Sequence, residues 1–381
     1  MHNAARGRIQ ISEPALDADA FEAVRRVLES GWLVQGPQTE AFEKAFALRH
    51  CTKRAVAVSS CTAALHLALL AVGVGPGDEV LVPAFTWVAT ANAVRYCNAQ
   101  PVLVDVLPDT YNIDPAAVAA ALTPRTRAVI PVHLFGLCAD MDALRAGLPE
   151  GTAIVEDAAC AAGAAYRGRS AGSLGDIGCF SFHPRKSITT GEGGMVTTDS
   201  DERASLVASL RNHGLERAPG ASAAGLDSVY RVGFNYRMTD FQAALGLAQL
   251  PRLDDFLAER ERWAAWYRRE LSDLQWLGLP AAPAGHRHAW QSFVCVVADN
   301  SPVSRDALID YLESRGIGTR PGTHAVSELP AYRTLSGCRS ADYPVAARLH
   351  RNSIALPLHN RMTPADFERV VEAMHETLRG G

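Results

Sequence analysis

Three of the chain's 37 basic residues are lysine, at positions 44, 53 and 186. Arginine can stand in for lysine as a solvated charge, but not where an amine must lose its proton and attack a carbonyl. Lys186 stands in SFHPRKSITTGEGG (181–194), between a short apolar run and a glycine cluster where backbone can approach a ligand closely. Three further features could share a site with it. VSSCTAALH (58–66) passes from an apolar run through small polar residues into a helical pattern. The N–H groups near Cys61 and Thr62 would then face outward at a helix N-terminus, a geometry that holds phosphate without a Walker or GxGxxG signature. Trp87 begins the next helical pattern after VPAFT and could lay its indole on a planar ring. Asp157 closes the apolar run AIVED, with Glu156 beside it pointing to the opposite face.

Taken singly, each feature has a structural explanation: a helix cap by Ser60 or Thr62, packing by Trp87, a cap by Asp157, solvated surface at Lys186. Together they describe something narrower. An anion cradle, a flat aromatic surface, a carboxylate and a reactive amine are what pyridoxal 5'-phosphate requires. The cradle takes the phosphate, Trp87 covers the ring, Asp157 keeps the ring nitrogen protonated, and Lys186 forms the Schiff base.

The elements that must position these residues are legible as an alternation. From residue 55 short apolar β-type runs (AVAVSS, EVLVPA, PVLVDV, RAVIPVHL, TAIVEDA) interleave with helical segments, and GCFSFH and GGMVTTD flank the Lys186 loop. Continuous apolar runs of this length suit strands buried on both faces of a mostly parallel sheet, the α/β arrangement in which ligands sit beyond the carboxyl ends of the strands. After residue 238 the character changes. Thr239 with Gln242 starts a capped helix ending at Pro251, a long amphipathic helix follows, and GLPAAPAGHRH (278–288) is a loop. A strand (SFVCVVAD), a helix (SRDALIDYLESRG) and a final helix capped at Thr363-Pro364 then build a smaller α+β unit. The expected division is a large domain at 1–250 and a small one at 251–381. The Ala/Gly/Ser-rich stretch 215–229 reads as a mobile surface loop.

Bulk properties exclude several classes. The 381 residues carry a net charge of −4 with 48% hydrophobic and 20% charged residues, an ordinary globular composition. There is no basic block, zinc spacing or arginine-rich tail, so neither nucleic acid nor a metal is an expected partner. No apolar run reaches membrane-spanning length, and the N-terminus lacks a signal-peptide core. Eight scattered cysteines without a CxxC pair suggest reduced thiols and a cytoplasmic location.

At these residues the chain resembles the sugar aminotransferase family of DegT type, within fold type I of the pyridoxal phosphate enzymes. SGWLVQGP (30–37) looks like the family's N-terminal substrate-side segment. VSSCTAALHLAL with GDEVLVPAFTWVATANAV is similar to its phosphate cradle and stacking segment, VEDAA to the aspartate strand, and GDIGCFSFHPRKSITTGEGGMV to the lysine loop. GFNYRMTDFQAALG (233–246) matches a segment that reaches across the dimer interface. The resemblance implies that Lys186 bonds the cofactor, Asp157 meets its ring nitrogen and Trp87 stacks on the ring, while Cys61, Thr62 and Ser181 hold the phosphate. It implies a homodimer with shared active sites, Asn235 reaching the phosphate from the partner subunit. Arg237, His324 and Arg320 look like substrate-side residues, with surface ion pairs or caps as the alternative. One departure is Cys160, where many relatives carry glutamine or histidine next to the cofactor.

The implied reaction moves an amino group from an amino acid, expected to be L-glutamate, to a keto-sugar, expected to be nucleotide-linked. A keto-cyclitol acceptor is the alternative. The family's sugar dehydratases have histidine in place of the lysine, which disfavours that activity here. A regulatory protein on the same scaffold is weakened by the complete lysine, aspartate and cradle set.

Overall fold

The structure, a computed structural model, describes residues 7–216, 228–336 and 339–377. Most of the segment read as a mobile loop, from 217 to 227, lies outside the described residues; its flanks Leu215–Glu216 and Ser228–Val229 pair antiparallel.

The apolar runs form strands β1 (Arg54–Val58), β2 (Glu79–Pro83), β3 (Gln100–Val104), β4 (Thr126–Val129), β5 (Ala153–Asp157), β6 (Ile177–Ser181) and β7 (Gly194–Thr198). They lie side by side in the order β1-β7-β6-β5-β4-β2-β3. All are parallel except β7, which runs antiparallel to both neighbours. Every residue of β2, β5, β6 and β7 is buried, which explains their unbroken apolar character: both faces are covered.

Side-chain alternation along β5 and β6 decides what reaches the site. Ile154, Phe180 and Phe182 point into a core shared with Phe42 and Phe46 of α2 (Pro37–Arg49), the helix that follows α1 (Ala18–Ser30), and the Phe46 and Phe180 rings meet edge-on at 4.9 Å. Val155 and Cys179 point the other way, against α3 (Cys61–Ala71), α4 (Ala89–Tyr96) and a helix at Asp201–Leu210. With a period of two, Asp157 and Ser181 follow Val155 and Cys179 toward α3. Glu156 lies on the opposite face, as expected, and is fully buried. Its carboxylate accepts from His133 Nε2 at 2.8 Å and from the backbone amides of Gly172, Leu174 and Gly175 at 2.6–2.7 Å. Glu156 is therefore a structural anchor for the 172–175 turn.

The Thr239/Gln242 capping box begins α5 (Asp240–Gln249), which continues through a 3-10 turn into α6 (Leu253–Glu270). A second, four-stranded sheet orders Leu277–Gly278, Phe293–Val297, Ser353–Leu356 and Arg320–Pro321, antiparallel throughout. One face of it packs with α6 and the final helix Pro364–Glu376 around Tyr267, Phe293 and Phe367. The N-terminal segment joins this core: Ile9 bridges Ile317 in parallel, and its amide donates to Gly316 O at 2.8 Å.

Two local expectations are corrected. Trp87 precedes α4 and does not begin it, because Phe85–Thr86 is drawn into an antiparallel pair with His324–Ala325 and delays the helix to Ala89. The 278–288 stretch is not loop throughout, since Gly278 ends a strand of the second sheet and His286–Arg287 pairs with Ala165–Tyr166.

Replacing Glu156 by Ala would leave three buried amides and an imidazole without their acceptor. Urea unfolding of Glu156→Ala should show stability reduced by about 3 kcal/mol or more, at about 1–3 kcal/mol per orphaned buried group.

Candidate active site

The carboxyl ends of β1, β2, β4, β5 and β6 share one edge of the sheet, and the reversal of β7 brings its first residue, Gly194, to the same edge opposite Ser181 and Val58. A Cβ on Gly194 would stand 2.5 Å from the carbonyl of Ser60 and 2.7 Å from the Cys61 nitrogen. Only glycine lets the end of the lysine loop press against the turn into α3. In that turn Ser60 caps the helix, its hydroxyl accepting from Ala63 N at 3.1 Å, so the capping expectation holds at Ser60. The amides of Cys61 and Thr62 begin the helix, where no preceding turn supplies an acceptor. That leaves an anion cradle bounded by Ser181 and the glycine loop, and the residues present fit a phosphate there.

Asp157 is 5% exposed. Its carboxylate accepts from Thr90 Oγ1 at 2.8 Å and from Ala159 N at 3.1 Å. Burial raises its pKa; the Thr90 hydroxyl, the Ala159 amide and the Lys186 charge act in the opposite direction. Two donors do not exhaust a carboxylate's capacity, so a ring N–H can be taken as a third. Thr90 was not singled out from sequence. Its signal was the Thr86–Thr90 spacing of four at the start of α4, where the two hydroxyls lie 3.2 Å apart.

Lys186 projects from a loop whose return arm is fixed by α5. Gln249 accepts from Thr189 N at 3.1 Å and donates to Thr189 O at 2.7 Å, while Gln242 donates to Glu192 O at 2.8 Å. The Lys186 amide closes a turn onto His183 O at 2.8 Å. At the tip, Lys186 Nζ donates to Cys160 Sγ at 3.2 Å. Cys160 thus touches the reactive amine, a contact its residue type did not announce. Burial pushes the Cys61 and Cys179 thiols well up, with the Asp157 charge adding to it, so both stay protonated packing groups. His183, three residues before the lysine, was also missed; burial lowers its pKa.

The remaining expected residues are placed unevenly. Trp87 is 59% exposed at the sheet edge, its indole centroid 5.6 Å from the His324 ring. Arg237 donates to Asn212 Oδ1 at 2.7 Å, and Asn212 also forms a backbone bridge with Asn235. Arg320 lies in the second sheet opposite Ala355, lining a cleft with Arg185, the residue before the lysine.

Thr90→Val removes the hydroxyl that favours ionised Asp157, and burial then raises that pKa further. We expect cofactor affinity, measured by equilibrium dialysis, to fall about tenfold, the worth of one hydrogen bond to a charged group.

The model of the DegT/DnrJ/EryC1/StrS aminotransferase family matches residues 14–375. Across 97% of this chain and 98% of the relative, the sequence is 41% identical to GDP-perosamine synthase of Caulobacter vibrioides. The sugar aminotransferase CalS13 of Micromonospora echinospora superposes with a TM-score of 0.88 at 30% identity, over 96% of this chain and 99% of that one. Spr1654 of Streptococcus pneumoniae in its PLP form gives 0.90 at 29% identity, over 96% and 97%. The chain belongs to the DegT/DnrJ/EryC1/StrS aminotransferase family.

Proposed function

We propose that this aminotransferase uses pyridoxal phosphate to move the amino group of an amino acid, L-glutamate in the first instance, onto a nucleotide-linked keto-sugar. The observation that carries the reading is the meeting of Lys186, buried Asp157 and the α3 N-terminus at one sheet edge. The acceptor class is supported by the likeness to GDP-perosamine synthase.

The bound cofactor supplies an electron sink for the pair left when the amino-bearing carbon loses its proton. Lys186 Nζ is the base that takes that proton and later returns one. Its loop, clamped by Gln242 and Gln249, keeps the amine from swinging away. Asp157 Oδ1 and Oδ2, oriented by Ala159 and Thr90, hold the ring nitrogen's proton in a dry setting where the attraction is strong. Cys61, Thr62 and Ser181 anchor the phosphate, and Trp87 covers the ring. Cys160 holds the lysine amine in place of the glutamine or histidine of many relatives. Arg237 and His324 stand on the substrate side.

The working unit is a homodimer with shared sites, Asn235 reaching across to the phosphate. Exposed Trp32, Leu33, Val34, Val229, Tyr230 and Val232 support an apolar contact between copies. Residues 1–250 hold the cofactor and 251–381 form the smaller part, with Ile9 packed into the latter's core. No described helix is long and apolar enough to cross a membrane; the cytoplasmic location we propose rests on the scattered cysteines, of which the seven described are free.

Lys186→Ala should keep the far-ultraviolet spectrum of the wild type and lose turnover with L-glutamate and nucleotide-linked keto-sugars by about a thousandfold or more, the product of a lost base and a lost nucleophile. Lys186→Arg, which keeps the charge but cannot give up its proton, should be as inactive. Normal turnover in either variant, or wild-type activity confined to keto-cyclitols, would contradict the proposal.

A further inference from the structure

Beside Lys186 two guanidinium groups face one cleft without a counter-charge. Arg185 and Arg320 line it together with Ser12, Gln291, Ser292 and Leu356. Four other arginines of the C-terminal part, Arg305, Arg315, Arg333 and Arg348, each meet a carboxylate. Among the described residues Arg185 and Arg320 form no ion pair, and the buried Nε of Arg320 makes no hydrogen bond at all. Burial, and then the like charge of Arg185, hold the Arg320 guanidinium below its usual pKa; the Cys160 thiol works the other way. An orphaned donor on a partly dry cation is costly unless something completes it.

The surroundings say what that something is. The lining is neutral apart from the two arginines, with hydroxyls and an amide and no acid. Gln291 donates to Arg185 O at 2.9 Å and accepts from Ser292 Oγ at 3.1 Å, fixing the backbone from which Arg185 projects. A planar fork suits a carboxylate in two-point contact. Arg185, which lines the cleft, immediately precedes Lys186, whose amine donates to Cys160 Sγ at 3.2 Å, so the cleft opens beside the lysine loop. An α-carboxylate is one bond from the carbon that bears the amine, whereas the phosphates of a sugar nucleotide lie across a whole sugar ring from its keto carbon.

We propose that Arg185 and Arg320 form the carboxylate subsite for the amino donor and its 2-oxo acid product. This rests on the aminotransferase reading and assigns the donor, not the acceptor, to this cleft. Gln291 is a positioning residue for Arg185.

The probe is glutarate, a dicarboxylate with no amine, titrated into the holoenzyme by calorimetry alongside the half-reactions followed by cofactor absorbance. In Arg185→Ala and Arg320→Gln the affinity for glutarate should fall about 10- to 100-fold, the range for hydrogen bonds to a charged group. The L-glutamate concentration for half-maximal conversion should rise by the same factor. Arg320→Lys should recover only part of it, since an ammonium lacks the fork. The keto-sugar concentration needed in the reverse half-reaction should stay within about twofold, the scale of energetically neutral changes. Arg185 is exposed, so its variant stays folded even if Arg320→Gln does not. Glutarate that fails to bind the wild type, binds both variants equally well, or leaves the donor concentration unmoved while the acceptor's rises overturns the subsite. Intact glutarate binding without any cofactor conversion by glutamate would instead count against the aminotransferase reading.

Discussion

Asp157 holds its carboxylate in a buried position with two neutral donors, the Thr90 hydroxyl and the Ala159 amide, and no ion pair among the described residues. Burial works against its charge, and the Thr90 hydroxyl, the Ala159 amide and the nearby Lys186 charge relieve it. A protein holds a carboxylate in this condition at a cost, and the cost is recovered when a bound cation completes the set. A protonated pyridine nitrogen is such a cation. Much of the fold can be understood as keeping this carboxylate dry, oriented and incompletely satisfied.

The parallel sheet does this by delivering residues from separate segments to one edge. Alternation along β5 sends Asp157 to the α3 face and Glu156 to the other, and the two adjacent carboxylates acquire opposite duties. Glu156 is saturated by an imidazole and three amides and holds a turn. The antiparallel insertion of β7 puts Gly194 against the α3 turn, so the loop carrying Lys186 starts at Ser181 and returns beside the cradle. The glutamines of α5 then tie that loop down at Thr189 and Glu192. Rigid elements therefore set the position of the amine, which is what acid–base work at a single carbon demands.

What could be read from the residues follows the range of the interactions. Lys186, Asp157 and the Ser60–Thr62 turn were legible because strand ends and helix starts have local signatures. Thr90 acts on a carboxylate 67 positions away, and nothing in ATANAV announces the partner. The Cys160–Lys186 contact joins two loops that the sheet alone brings together. Arg185 sits next to the lysine in sequence, yet its neighbour in the cleft, Arg320, comes from the second sheet 135 positions away, and no local signature links the two. The delayed start of α4 at Ala89 has the same cause, since the pairing of Phe85–Thr86 with His324–Ala325 overrides a helical pattern that begins at Trp87.

The central claim is that one amine, on Lys186, bonds the cofactor's aldehyde. Borohydride reduction of the holoprotein, followed by digestion and mass mapping, tests it most directly. The account predicts a single pyridoxyl adduct on the peptide containing Lys186. An adduct on Lys44 or Lys53, or no adduct on a protein that has retained its cofactor, would contradict it.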